Sequence, residues 1–181
     1  MQATSIDRRL QELLPELFEP SAQTGNRYLR FQLTAEISAL LPLDSVREAL
    51  QIAANQVTLL PNLPACSLGL VSAFNQVFCA IDLAQLLDVG LLAGNPQHYA
   101  LIAIRAIAAE ASHQTGVVEE EPVLGLAVHR IQGVTTLLPE AIVKAPATLP
   151  SYLAAFTQGA SDDGALLLDV DALIAAPTLQ A

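Results

Sequence analysis

The amino-acid sequence predicts an all-β protein built from small barrels, with only short helices. Three observations predict it. Apolar runs are short, as in 28–33, where Leu29, Phe31 and Leu33 share one face and Tyr28, Arg30 and Gln32 the other, the period of a half-buried strand. Turn residues separate the runs, and Gly and Pro gather in two clusters, around 61–64 and 90–96, as they do where small barrels turn their strands. Helical periodicity is confined to a few short segments. With 181 residues and 19.1 kDa, the chain makes one modest domain, or two small subdomains sharing a core, and buries about 70% of its unfolded surface.

Residues 5–14 place Ile6, Leu10, Leu13 and Leu14 on one face at helical spacing, with Pro15 breaking the pattern and Leu17 and Phe18 extending it. This predicts a short N-terminal amphipathic helix. Lone short helices are marginal in water, so it is expected to dock on its own domain. The other reading is a peptide that docks on another protein, ahead of the polar linker 19–26. The strand at 28–33 leads through a turn at 34–36 to a return strand at 37–41, which Pro42 interrupts; 43–50 then reads Leu-x-x-Val-x-Glu-x-Leu and carries Val46 and Glu48.

Residues 57–83 are the most patterned stretch. Pro61 and Pro64 end an apolar strand, because each fixes its backbone angle and removes an N–H donor. A hairpin follows, with strands 68–74 and 77–81 joined at Asn75-Gln76, where Asn tolerates the left-handed conformation of a tight turn. Asp82 stops the second strand and is placed to cap a short helix, 83–87, by accepting first-turn N–H groups. The loop 90–97 is the expected boundary between two halves. An apolar strand at 98–107 comes next, then a polar excursion at 110–122 containing Glu119, Glu120 and Glu121. Adjacent carboxylates point in different directions, so this run reads as solvated rather than as a divalent-cation site. Asp162-Asp163-Gly164 is a turn by composition.

The chain is acidic, with 8 basic and 18 acidic side chains for a net charge of -10, and 52% of its residues are hydrophobic. Such a chain repels phosphate backbones and anionic lipids, so its partners are expected to be proteins, with no nucleic acid. The longest apolar stretch, 99–109, is interrupted by Arg105, and Arg8 and Arg9 are followed by Leu10-Gln11-Glu12 rather than an apolar segment. Neither a membrane span nor a signal peptide is expected, and the location is expected to be cytoplasmic. Cys66 and Cys79 lack any metal-ligand or redox spacing and read as reduced, buried thiols.

Catalytic groups are sparse. There is no phosphate-cradling Gly-rich loop, no nucleophile elbow, and no metal-binding spacing among His98, His113 and His129. Asp169-Val170-Asp171 puts two carboxylates on one face of a strand with no His or Lys to tune them, so a capping or loop-anchoring role for Asp171 is favoured over acid-base work. His129 reads as a strand residue with one satisfied hydrogen bond, ahead of a pH-sensing role. No enzymatic activity, metal or cofactor is expected.

Four ordered blocks resemble the CheW family of chemotaxis coupling proteins. The first is 57–83, where Pro61, Pro64, Gly69, Asp82 and Leu83 match. The second is Tyr-x-x-Phe-x-Leu from Tyr28 with the later Val-x-Glu of Val46 and Glu48. The third is a strand pair at 123–134, where Gly125 matches and His129 replaces a usual Asp, followed by Leu138-Pro139-x-x-Ile142 and Pro146 and by a short strand at 152–159. The last is the Leu-Leu-Leu-Asp ending within 165–174. The resemblance implies two small five-stranded antiparallel β-barrels sharing a core, and a division into an N-terminal helix and linker (1–25), the domain (26–176) and a tail (177–181).

It also implies a scaffolding role, with one barrel on the regulatory domain of a CheA-type histidine kinase and a groove near the hairpin on the tip of a chemoreceptor coiled coil. Where the family has Asn-Leu-Arg-Gly at the hairpin, this chain has Ser72-Ala73-Phe74-Asn75. Phe74 is then either an exposed anchor for a different receptor surface, which is favoured, or a side chain folded into the hairpin's packing. Phe74, Asn75, Val46 and Glu48 are the expected partner contacts, the competing reading being that Val46 is core and Glu48 an ordinary surface charge. The N-terminal extension resembles that of CheW-like proteins of cyanobacterial gliding and phototaxis. A response regulator or motility component is the alternative partner, and a small-molecule enzyme the alternative class.

Overall fold

The computed structural model describes residues 25–92, 97–105 and 123–179. The expected N-terminal helix, His113, the carboxylates at 119–121 and the end of the tail lie outside the described residues.

Eleven strands are described: β1 Asn26–Gln32, β2 Ser38–Pro42, β3 Val46–Ala53, β4 Ser67–Ala73, β5 Gln76–Asp82, β6 His98–Arg105, β7 Val123–Val128, β8 Arg130–Leu137, β9 Ile142–Val143, β10 Thr157–Ser161 and β11 Leu166–Leu168. Three short helices accompany them: α1 Leu83–Leu86, α2 Ser151–Ala155 and α3 Val170–Ile174. One sheet runs β8-β1-β2-β11-β10-β9 and the other β3-β6-β7-β5-β4.

Both sheets close by the same device. Beyond β3, a single 3-10 turn at Ala54–Gln56 brings Thr58 against Leu70 of β4, and the two exchange backbone hydrogen bonds of 2.8 Å in each direction. Beyond β8, a 3-10 turn at Pro139–Ala141 leads into β9, which pairs with β10. Each sheet is thus joined edge to edge by one bent strand, giving two rings of five. A ring with an odd number of strands cannot alternate direction all the way round, so at least one neighbouring pair must run parallel. Those pairs are β2 with β11 and β5 with β7, and they are where the barrels depart from the purely antiparallel arrangement expected from sequence.

Glycine makes both closures possible. The Cβ of any other residue at Gly69 would run into the carbonyl oxygen of Thr58, and at Gly159 it would sit 2.7 Å from that of Val143. Gly69 also has φ of 134°, a conformation that L side chains rarely adopt.

Alternation along the strands divides the apolar side chains into three sets. Tyr28, Leu40, Ala165 and Leu167 fill the first barrel. Ile52, Val71, Phe78, Ala80, Leu101 and Ala127 fill the second. The opposite faces of the same strands, including Phe31, Leu41, Ile81, Ile102, Ile104 and Leu126, meet in a core between the barrels. Because strands such as β6 and β7 are buried on both faces, their sequences read as continuous apolar runs. Each fully buried Leu, Ile or Phe contributes about 1.5–3 kcal/mol, so packing holds the fold. Cys66 and Cys79 are free thiols, the first buried, and burial pushes its pKa up.

α1 and α3 begin alike. Asp82 accepts from the N–H of Gln85 at 3.1 Å and, through its other oxygen, from Leu92 at 2.9 Å. Asp169 accepts from Ala172 at 3.0 Å. The cap of α3 is therefore Asp169 and not Asp171, which lies inside the first turn; the Leu-Asp-Val-Asp alternation resembles a strand but is a strand end and a helix start. The Ala172 N–H is the main reason that the Asp169 carboxyl lies below its ordinary value of 3.8. A lowered folded-state pKa means stability that is present above the unfolded value and lost as pH falls through the folded one. Asp169→Ala should cost about 1 kcal/mol at neutral pH, and the difference from wild type in urea unfolding should shrink as pH drops below the ordinary carboxylate range. A difference unchanged by acid would show that the charge on Asp169 does not matter.

Three further expectations need correction. The loop 90–97 does not divide the halves, since β5 before it and β6 after it lie in the same sheet. The crossings fall instead between β2 and β3 and between β7 and β8, where the chain passes from one sheet to the other. The short strand expected at 152–159 begins as a helix, α2, because Pro150 starts a turn that Tyr152 and Phe156 stabilise by edge-to-face contact at 5.2 Å. His129 stands exposed at the break between β7 and β8, with its backbone N–H donating to the Gln32 carbonyl at 3.0 Å.

Candidate functional site

The irregular features of the second barrel converge on the β4–β5 hairpin. Its turn is Phe74-Asn75, one residue earlier than expected from sequence, with φ of 54° and 63°. Positive φ at both central residues is the primed turn whose twist suits a hairpin, and it favours Asn and Gly. A bulky aromatic there is a backbone outlier costing about 1–3 kcal/mol. Two contacts hold it. The half-buried Phe74 ring packs against the interior cluster of the barrel, and the Arg47 guanidinium lies over the ring, 5.9 Å from its centroid. Arg47 also donates to Gln76 Oε1 at 2.6 Å. In the ladder, β6 and β7 separate β3 from β5, so Arg47 reaches across the end of the barrel to the hairpin tip. A register shift between Val46 and Glu48 breaks the alternation there.

The four expected contact residues divide into two kinds. Glu48 and Asn75 are exposed. Val46 is half-buried against the core between the barrels, and Phe74 is folded into the hairpin's packing rather than free. Arg47 draws β3 and the hairpin tip into one rim. Sequence reading missed Arg47, Gln76 and Val77, the last 65% exposed beside the turn. One signal was available: Arg47 is the sole lysine or arginine between Arg30 and Arg105.

From Ala49, the neighbour of Glu48 in sequence, a groove follows β3. Two adjoining hollows of about 360 and 240 Å³ share Gln51, Ala100 and His129, with Ala49 and Arg130 lining the larger. Another hollow, of about 740 Å³, lies at the start of β1, lined by Arg27, Asp44 and Gln158 among others. Among the described residues, the groups with displaced pKa values, Cys66, Asp163 and Asp169, line none of these hollows. Among the described residues, no three His, Cys, Asp or Glu side chains gather where they could hold a metal ion, and no helix is long and apolar enough to cross a membrane.

Two side-chain-filled barrels on a common core, with their special features on an outer rim, define a class of twin-barrel interaction modules. The CheW-like domain family matches residues 27–178, and the chain belongs to the CheW family. Among solved structures, the chain is similar to the scaffolding protein TtCheW from Thermoanaerobacter tengcongensis, with 18% identity and a TM-score of 0.64 over 82% of this chain and 92% of that one. At that identity the likeness speaks for the fold. No curated protein sequence matches the chain. CheW-like proteins are scaffolds rather than enzymes.

Proposed function

We propose that the chain is a cytoplasmic signalling adaptor that couples chemoreceptors to a CheA-type histidine kinase in a taxis or motility pathway. The observation that carries this reading is the rim of Arg47, Glu48, Phe74, Asn75 and Val77 beside the β3 groove, on a body of the CheW family. The receptor tip docks at the rim and groove, and the kinase regulatory domain on other barrel surface. Both partners bear on one body, so a change in the receptor biases the kinase through contacts alone, as a coupling of equilibria. Purified chain, mixed with the kinase regulatory domain and with a receptor tip from the same genome, should co-elute with each. Co-elution with a response regulator or motility component instead would replace this partner assignment.

Phe74→Arg removes the ring on which the rim is built. It should weaken receptor-tip binding severalfold, while kinase-domain binding in the same titration stays at the wild-type value. An unchanged affinity for the tip would exclude Phe74 from the contact.

A further inference from the structure

We propose that Arg47 is the anion-receiving residue of the rim, and that the receptor surface docking there presents a carboxylate to it. This rests on the adaptor reading and names the chemistry of its receptor-facing site.

The chain contains its own comparison. Each barrel fastens an arginine to the tip of a hairpin. In the first barrel, Arg30 of β1 reaches the β10–β11 turn, where it meets the Asp163 carboxylate at 2.5 Å and donates to Gln132 Oε1 at 3.2 Å. Ser161 donates to the other Asp163 oxygen, and these contacts hold the Asp163 carboxyl below its ordinary range. That arginine is neutralised within the fold. In the second barrel, Arg47 reaches the equivalent turn and finds, among the described residues, only the amide oxygen of Gln76 and the face of Phe74. Among the described residues no carboxylate lies within ion-pair distance of it, its sequence neighbour Glu48 included.

A guanidinium carries five N–H donors in a planar fork. Here one is taken by Gln76, while the ring beneath Arg47 and its half-burial fix the orientation of the plane. A fixed fork with open donors matches a carboxylate, which can accept two parallel N–H bonds. From the tip of the turn, at φ of 54°, the Phe74 ring forms a platform under Arg47. Val77, exposed next to Gln76, supplies an apolar contact for the residues that flank the partner's carboxylate.

The test is a double-mutant cycle by titration calorimetry. The probe is the coiled-coil tip of a chemoreceptor from the same genome, as wild type and with each exposed Glu or Asp changed singly to Gln or Asn. Arg47→Gln should weaken tip binding about tenfold, one carboxylate substitution should weaken it equally, and the pair together should lose no more than either alone. Arg47→Lys, which keeps the charge without the fork, should recover part of the affinity. Kinase-domain binding should stay at the wild-type value, and the urea midpoint should fall only by what the lost contacts to Phe74 and Gln76 are worth, about 1 kcal/mol. The proposal is overturned if Arg47→Gln binds the tip normally, if its loss simply multiplies with that of every carboxylate substitution, or if it lowers tip binding, kinase binding and stability together, as a structural role would. A wild-type chain that binds no receptor tip at all would overturn the adaptor reading and this site with it.

Discussion

Gly69→Ala should lower the stability of this protein by about 3 kcal/mol or more in urea unfolding, among the largest effects of any single methyl group in the fold. Two penalties add. The new Cβ meets the Thr58 carbonyl oxygen where the second barrel closes, and overpacking of this kind costs about 1–3 kcal/mol. The backbone at Gly69 also sits at φ of 134°, which adds about 1–3 kcal/mol for a residue with a side chain. Two other glycines separate the terms. Gly133 has φ of 127° but open space where its Cβ would go, so alanine there pays for conformation alone. Gly159 has the close carbonyl, 2.7 Å away, without the positive φ. Each should cost less than Gly69→Ala. Equal losses at Gly69 and Gly133 would mean that the closure contact contributes nothing.

Phe31→Ala should cost about 3–5 kcal/mol, the range for emptying a fully buried aromatic site. Phe31 belongs to the core between the barrels, which sets this prediction apart from an ordinary cavity. Strands of both barrels pack there, so the loss should fall on the whole body: amides of β1 and of β6 should lose hydrogen-exchange protection by the same factor, and unfolding should remain one transition. If β1 amides lost protection while those of β6 kept it, the barrels would be separately stable and the common core would not unite them.

The parts of this fold that local chemistry dictates were legible. The hairpin after Pro64, the Asp82 cap and the Asp163 turn each follow from residues within a few positions of one another. The ring closures were not, because they depend on contacts between segments distant in sequence, such as Thr58 with Leu70 and β2 with β11. Gly69 stands in the sequence, but the carbonyl that requires it does not stand beside it. Asp169 was passed over for Asp171 because a strand end and a helix start can share one alternating pattern. At the candidate site, Val46, Glu48, Phe74 and Asn75 fall at the end of the second barrel where Arg47 meets the hairpin. They missed Arg47, whose direction is set by a register shift that no local signal announces, and the turn lay one residue earlier because the ring and guanidinium stabilise Phe74 at positive φ.

On the proposed function, this twin-barrel body transmits a receptor's state to a kinase without chemistry of its own. The direct measurement is the autophosphorylation rate of the CheA-type kinase, taken with receptor fragments present and with the chain added or left out. The rate should depend on the receptor only when the chain is present, and Arg47→Gln should shift that dependence to higher receptor concentration. A kinase that follows the receptor equally well without the chain, or ignores it even with the chain at saturation, would contradict the claim.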